Sequence, residues 1–363
     1  MRYEPLISIM TLTYNLEDFI AECIESVLCQ TYENWEMIIL DDASTDKTPF
    51  VVEDYAKKDK RIKFIRNEKN IGIYNLNINR NRVLKEAKGE WIAYLDGDDV
   101  FTKRTLEYRI KALNELDERE KDKVALIHGN CGRIWMNSKI LDIPTNPFSS
   151  YKDVIYNNPV GTALTIFLQG SNFIPSGSVM IRKSVLEEIG GFIKKSDIAI
   201  SEDFQTWCYI ALKGKFLFVD AILYFWRKHK KSLTMNHPEK FNRVNLDFIY
   251  KFYKENKEIM NSLSLDLNLL EKCLGIQSKL ELAKILTLKG QYTEAKRFLK
   301  QIDPECFRML PMPNVLNLKY KITKLANLLH APFILNFSLR FKRKIYDKII
   351  GSYYPFFFKE LDI

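Results

Sequence analysis

The sequence predicts an α/β fold, a mixed, mostly parallel sheet flanked by helices, followed by an all-α appendage. Three observations carry this. Short apolar runs alternate with helix-periodic stretches through the first hundred residues, each run stops in polar or acidic residues, and no strand signal returns after about Pro238. In parallel sheets ligands bind outside the carboxyl ends of the strands, so those polar stops are the first place to look for a site.

The elements follow in order. Leu6–Thr13 is a strand ending in Tyr14-Asn15, and Leu16–Gln30 carries Phe19, Ile20, Ile24, Val27 and Leu28 at helical spacing. Trp35–Leu40 is a second buried strand. It ends in Asp41-Asp42-Ala43-Ser44-Thr45-Asp46, whose Ser, Thr and Asp suit the cap of a helix over Thr48–Lys58. Ile62–Ile65 is a shorter strand, followed by Asn70-Ile71-Gly72 and a polar-faced segment through Arg80-Asn81 to Ala87. Trp91–Leu95, bounded by Gly89, is the next strand and stops in Asp96-Gly97-Asp98-Asp99.

Beyond Phe101 the pattern changes. Thr105–Glu120 reads as an exposed, highly charged helix, Val124–Trp135 as a strand or two, and Asp142–Pro159 as a loop rich in Pro, Asn and Ser. Gly170–Gly177 is turn-rich and precedes a strand over Ser178–Arg182. Phe241–Lys257 and Leu267–Lys289 have helical spacing, and the stretch from Leu280 through Gly290 to Leu299 is similar to one tetratricopeptide helix pair. A single copy does not make a solenoid, which needs about three repeats.

The 363 residues, 46% hydrophobic and 28% charged, suit about two globular domains, expected at 1–237 and 238–363. The net charge of +9 favours anionic partners. Six scattered cysteines without a C-x-x-C pair argue for a reducing cytosol and against structural zinc. A strand pattern begins almost at once, leaving no room for a signal peptide, and no apolar stretch approaches the roughly 20 residues of a membrane span. The expected location is therefore cytoplasmic, with any membrane link peripheral.

Side chains alternate faces in extended chain, so Asp96 and Asp98 can point the same way while Gly97 lets the chain bend. Read alone, this is either a solvated acidic turn or a site for a hard divalent cation, Mg²⁺ or Mn²⁺, that also holds phosphate oxygens. Three polar strand ends favour the second reading. No Gly-x-Gly-x-x-Gly or Walker-type sequence follows the first strand, so neither dinucleotide nor P-loop chemistry is supported.

From about Pro5 to Thr234 the chain resembles a family 2 glycosyltransferase of the GT-A fold. The matching pieces are Thr13-Tyr14-Asn15, Asp41 to Asp46, Asn70-Ile71-Gly72 with Arg80-Asn81, Lys88-Gly89-Glu90, Asp96-Gly97-Asp98-Asp99, Gly190-Gly191-Phe192, Ser201-Glu202-Asp203, Leu212-Lys213-Gly214 and Arg227 to Thr234. Leu12 stands where that family usually has proline, Ala43 where it usually has glycine, and Val83 where glycine commonly follows Arg-Asn. The resemblance implies a Rossmann-like sheet with a nucleotide-sugar half over about 1–100 and an acceptor half over about 101–237.

It also implies roles. Asp42, beside Asp41, would bond the base, and Thr13, Tyr14 and Asn15 would line the nucleoside, with Asn70, Gly72 and Arg80 also on the substrate. Asp96 would meet ribose, sugar or metal. Asp98 would hold the metal that bridges the two phosphates, with His229 as an extra ligand, a phosphate contact, or simply a histidine on a basic tail. Asp203 would deprotonate the attacking hydroxyl, with Glu202 as fallback. Helix logic alone makes Glu202 and Asp203 first-turn acids.

The implied enzyme is an inverting, metal-dependent transferase moving a hexose or amino sugar from a UDP-sugar to a glycan or lipid-linked glycan of the bacterial surface. Its rivals are a sugar nucleotidyltransferase and a catalytically dead scaffold. The tail Ala331–Ile363 interleaves aromatics with Arg340, Lys342, Arg343, Lys344 and Lys348, which fits an anionic membrane surface, packing on the catalytic domain, or an oligomer contact. Nucleic acid is not implied, since no recognition motif accompanies the charge.

Overall fold

The computed structural model describes residues 3–143, 151–168, 172–195, 202–232, 246–263, 265, 267–303 and 313–330. The chain divides into two compact units, Met1–Phe167 with Asn172–Asn236, and Leu168–Ser171 with His237–Ile363.

In the first unit the elements are β1 (Ile7–Thr13), α1 (Ile20–Leu28), β2 (Trp35–Asp41), α2 (Thr48–Lys58), β3 (Ile62–Arg66), α3 (Leu76–Glu86), β4 (Trp91–Tyr94), β5 (Val100–Phe101), α4 (Thr105–Asn114) and α5 (Glu118–Asp122). They continue as β6 (Val124–Trp135), β7 (Ile140–Asp142), α6 (Lys152–Tyr156), α7 (Leu164–Phe167), β8 (Met180–Arg182), α8 (Lys183–Glu188), α9 (Glu202–Ile210) and β9 (Lys215–Lys228). One sheet runs in the order β3-β2-β1-β4-β8-β6-β9-β5, with β7 paired to β6. The β3-β2-β1-β4 portion is parallel, whereas β8 joins β4 and β6 antiparallel and β6 runs parallel to β9.

Every residue of β1 is buried, as expected of a strand covered on both faces. Part of the cover is α1, which buries Ile20, Cys23, Ile24 and Val27 at the three- and four-residue spacing of one helical face. Ile7, Ile9, Met37, Ile39, Trp91 and Ala93 share its cluster, and each large side chain there contributes roughly 1.5–3 kcal/mol on leaving water. At the start of α2 the N-cap is Lys47, which makes no side-chain capping bond, and Asp46 just before it accepts from the Thr48 amide at 2.9 Å.

One expectation changes and one is narrowed. The charged stretch from Thr105 is not one exposed helix: α4 ends at Asn114 and buries Thr105, Leu106, Arg109, Ile110 and Leu113. Its numerous charges hide an apolar stripe, and a second helix, α5, starts anew with the Asp117 side chain accepting from the Glu120 amide. Val124–Trp135 is a single strand, paired along its length with β9.

The second unit is helical where described: α10 (Leu246–Glu255), α11 (Lys257–Ser262), α12 (Leu267–Leu288), α13 (Tyr292–Lys300) and α14 (Pro313–Leu328). Gly290, with φ +75°, makes the left-handed turn between α12 and α13. Ile276, Leu280, Ala283, Leu299, Ile302 and Tyr320 form their common core. Among the described residues no helix is long and apolar enough to cross a membrane. The expected helix start at Phe241 and the basic aromatic tail from Ala331 lie outside the described residues.

Candidate active site

Neighbouring strands β1 and β4 leave their C-terminal ends toward opposite sides of the sheet, because β2 and β3 lie to one side and β8 to the other. The crevice at such a point takes ligands. Gly97 closes its floor: a Cβ there would lie 3.1 Å from both the Leu12 carbonyl and Thr13 Cβ, tighter than ordinary contact, so glycine lets the acidic turn cross the end of β1 without displacing it.

The loops that follow β1 and β2 interlock around this floor. Asn15 and Ala43 both adopt left-handed backbone, φ 54° and 60°. Asn15 donates its amide to Ser44 Oγ and accepts from the Thr45 amide, both at 2.8 Å, which leaves Tyr14 between them 46% exposed. Ala43's φ supplies the physical reason for a glycine preference at that position.

Asp41 and Asp42 part company. Asp41 is fully buried beneath the loop, accepting from the Ser44 amide at 3.0 Å and from the Ser44 hydroxyl, with Arg66 Nε at 3.2 Å. Burial raises its pKa, and the Ser44 hydrogen bonds pull it partly back. The Asp42 carboxylate instead accepts from Asn67 Nδ2 at 2.6 Å and the Ile71 amide at 3.2 Å. Asn70 Nδ2 closes the loop onto the Asp42 carbonyl at 3.0 Å, and Gly72, φ +81°, turns the chain into a short 3-10 turn before α3.

Arg80, on α3, is buried where the two halves of the sheet meet. Its Nε donates to Glu202 Oε1 at 2.9 Å, its Nη2 reaches Asp96 Oδ1 at 3.4 Å, and its guanidinium lies 3.8 Å from the centre of the Tyr94 ring. Its Nη1 is buried and has no partner among the described residues. Asn81 next to it accepts from the Phe192 amide at 2.7 Å and donates to the Phe192 carbonyl at 3.0 Å, gripping the Gly190-Gly191 turn. A Cβ on Gly191, at φ +92°, would stand 2.3 Å from Asn81 Oδ1, so the grip needs glycine there.

The acids crowd one another. Asp96 is pushed up to about 7, first by desolvation, partly offset by Arg80 and reinforced by Asp98, Glu202 and Asp203. Its side chain keeps 39% of its surface open, so it is ringed by protein on most sides and wet on one. Glu202 is buried and raised by desolvation against the pull of Arg80. Asp99 is raised well above the carboxylate range by burial and by Asp98 and Asp96. It accepts from the Arg227 amide at 2.9 Å and so braces the turn from behind.

Asp98 faces His229, with Nε2 and Oδ2 2.8 Å apart. The His229 ring is buried against Phe19, centroids 4.5 Å apart, and its Nδ1 has no partner among the described residues. Asp203 is half-buried: Ser176 Oγ donates to its Oδ2 at 2.8 Å, and the Phe204 amide to its Oδ1 at 2.7 Å. Among the described residues no group of three His, Cys, Asp or Glu side chains is closed enough to hold a metal by itself. Mutually repelling carboxylates with the His229 Nε2 beside them, 2.8 Å from Asp98 Oδ2, do fit a hard cation that takes its remaining oxygens from a ligand.

Ser176 and Tyr94 escaped sequence reasoning, for a serine in a turn and a tyrosine in a buried strand carry no signal of their own. Arg227 carried a fainter one, a cation closing the apolar run of β9. Fully buried, it donates Nε to the Asp98 carbonyl at 2.8 Å and Nη2 to Glu22 Oε2 at 2.6 Å.

The description "Glycosyl transferase family 2" matches residues 8–190, and the chain belongs to that family. A putative teichuronic acid biosynthesis glycosyltransferase of Bacillus subtilis, TuaG, is 40% identical over 58% of this chain and 74% of its own length. The Escherichia coli UDP-Glc:alpha-D-GlcNAc-diphosphoundecaprenol beta-1,3-glucosyltransferase WfgD is 34% identical over 49% of this chain and 66% of its own. Among solved structures, S. aureus TarS 1–349 with UDP-GlcNAc superposes with a TM-score of 0.54 at 17% identity, over 90% of each chain. Mannosyltransferase PcManGT from Pyrobaculum calidifontis, with GDP-Man and Mn²⁺, gives 0.52 at 15% identity over 91% of this chain and 87% of that one. At these identities the likeness is one of fold, and the fold is the GT-A sheet that the sequence motifs implied.

Proposed function

We propose that the protein is a metal-dependent, inverting glycosyltransferase that moves a hexose or N-acetylhexosamine from a UDP-sugar to a hydroxyl of a glycan acceptor in bacterial surface polysaccharide synthesis. The observation that carries this reading is the meeting, at one strand-end crevice, of Asp96, Asp98 and His229 with the Arg80–Glu202 pair and Asp203. The relatives named for teichuronic acid and for a diphosphoundecaprenol-linked acceptor support the pathway class, and the UDP-Glc in one of those names supports the donor.

In this reading Thr13, Tyr14, Asn15, Asp42, Asn70 and Gly72 form the nucleoside side, with Asp41 holding their loop from beneath. Asp98, with Asp96 and His229, holds the divalent ion, Mn²⁺ or Mg²⁺, which when bound offsets charge on the leaving diphosphate. Arg80 orients Asp96 and keeps Glu202 engaged. Asp203 then takes the proton from the acceptor hydroxyl as that oxygen bonds to the anomeric carbon and the sugar–phosphate bond breaks on the opposite face, inverting the centre. Between the two adjacent acids, Asp203 suits the base because Glu202 is committed to a buried cation. We place the acceptor on a lipid carrier at the inner face of the cytoplasmic membrane, with the basic tail as the contact.

Incubation with a panel of UDP-sugars and Mn²⁺ tests the reading. Release of UDP, with opposite anomeric configuration in the product, is expected. Pyrophosphate as the product would instead mark a nucleotidyltransferase, and no nucleotide binding by calorimetry would leave a scaffold.

A further inference from the structure

The hairpin between β6 and β7 ends in two exposed apolar side chains, Trp135 at 47% and Met136 at 54%. Isolated apolar residues on a surface need no explanation. This pair differs because its backbone is tied to the candidate site. Arg227 Nη1 donates to the carbonyls of Trp135 and Met136, each at 3.3 Å, and to Ser138 Oγ at 3.1 Å, while Nε of the same guanidinium holds the Asp98 carbonyl. Ser138, at φ 60°, donates in turn to Glu22 Oε1 at 2.7 Å, and Arg133 pairs with Asp142 across the hairpin. One buried arginine therefore fixes both the acidic turn and the tip that carries the indole.

We propose that Trp135, with Met136 beside it, is a stacking platform for a sugar ring of the acceptor, an inference that rests on the glycosyltransferase reading above. A pyranose has an apolar CH face and a rim of hydroxyls. The tip matches that chemistry, an exposed indole and thioether next to exposed Asn137, Ser138 and Lys139. A lipid chain or a partner protein would call for a larger continuous apolar patch, on the order of several hundred Å². The platform lies in the half of the sheet that follows Phe101: Trp135 pairs with Lys228, one residue along β9 from Arg227, so neighbouring positions of one strand hold the tip and the acidic turn.

The test uses the full chain with UDP and Mg²⁺ and a panel of methyl glycosides of glucose, galactose and N-acetylglucosamine, read by saturation-transfer NMR. At least one glycoside is expected to receive saturation from the wild-type protein, with Trp135→Ala weakening its binding about tenfold and Trp135→Phe by less. The Kd for UDP, measured by calorimetry on each variant, reports that the crevice is folded. Equal glycoside binding by wild type and Trp135→Ala, or no glycoside binding by a wild type that binds UDP, overturns the platform and leaves the donor reading standing. Loss in Trp135→Ala of binding to anionic phosphatidylglycerol vesicles alone, or of self-association alone, assigns the tip to a membrane or to a second copy and also overturns it. Absence of UDP binding in the wild type fails the glycosyltransferase reading itself.

Discussion

The loops that follow β1 and β2 and the acid cluster sit at the same crevice and are built in opposite ways. In the loops the partners are near in sequence or lie on successive strand ends: Ser44 binds Asp41 three residues away, and Asn15 and Asp42 each find partners 29 residues along. In the cluster they come from distant parts of the chain, Arg80 to Glu202 over 122 residues, Arg227 to Asp99 over 128 and His229 to Asp98 over 131. Each of these bonds joins the parallel half of the sheet to the later half. The loops therefore shape a pocket locally, whereas the cluster holds together only while the two halves of the sheet keep their relative positions.

Substitutions that separate charge from shape test this contrast. Asp98→Asn keeps the size of the side chain and removes the charge facing His229, and should lower transfer on the order of a thousandfold, with weakened Mn²⁺ binding by calorimetry. Asp203→Asn should lower kcat by about 10²–10⁴ and leave the donor KM in place, as expected of a base that acts only on the acceptor. Unchanged rates in both variants would separate the cluster from catalysis.

Glu202→Gln should act through structure instead. It leaves the buried Arg80 with Asp96, 3.4 Å from its Nη2, as the remaining carboxylate, and a broken buried pair costs about 3–5 kcal/mol, read as a lower midpoint in urea. A variant with normal stability and no activity would reverse the roles given to Glu202 and Asp203.

Under the later half of the sheet, His128 is fully buried against Phe173, Phe216 and Phe218, and burial lowers its pKa from 6.5 to about 4. The folded state thus holds it neutral while the unfolded state protonates it below 6.5. Its stabilising contribution is complete above about pH 6.5 and falls away toward pH 4, a loss of about 3 kcal/mol. His128→Leu should flatten that limb of a stability-versus-pH curve, whereas an unchanged acid limb would place the loss elsewhere. The smallest effect is expected in the donor loop, where Ala43→Gly relieves a left-handed alanine and should raise stability by about 1 kcal/mol in thermal unfolding.

Much of this was legible in the residues. Strand runs such as Trp91–Tyr94 were visible because a parallel strand buried on both faces is continuously apolar, and the acids after them because a charge ending such a run has to meet a ligand or water. The helix at Thr105 was misread because surface charges outnumber the few apolar positions that decide where it packs. Ser176 could not be seen, since its value lies wholly in facing Asp203 from a separate turn.

By itself the sequence determined the α/β order, the strand-end position of Thr13, Asp42 and Asp96, and the family, because all three depend on local periodicity and short ordered motifs. Only the tertiary structure decided that Asp41 turns inward while Asp42 pins the next loop, that Glu202 is taken by Arg80 and Asp203 is not, and that Arg227 ties the Trp135 hairpin to Asp98. Those outcomes depend on which groups lose water together, and adjacent residues with the same chemistry separate only when folding gives them different neighbours.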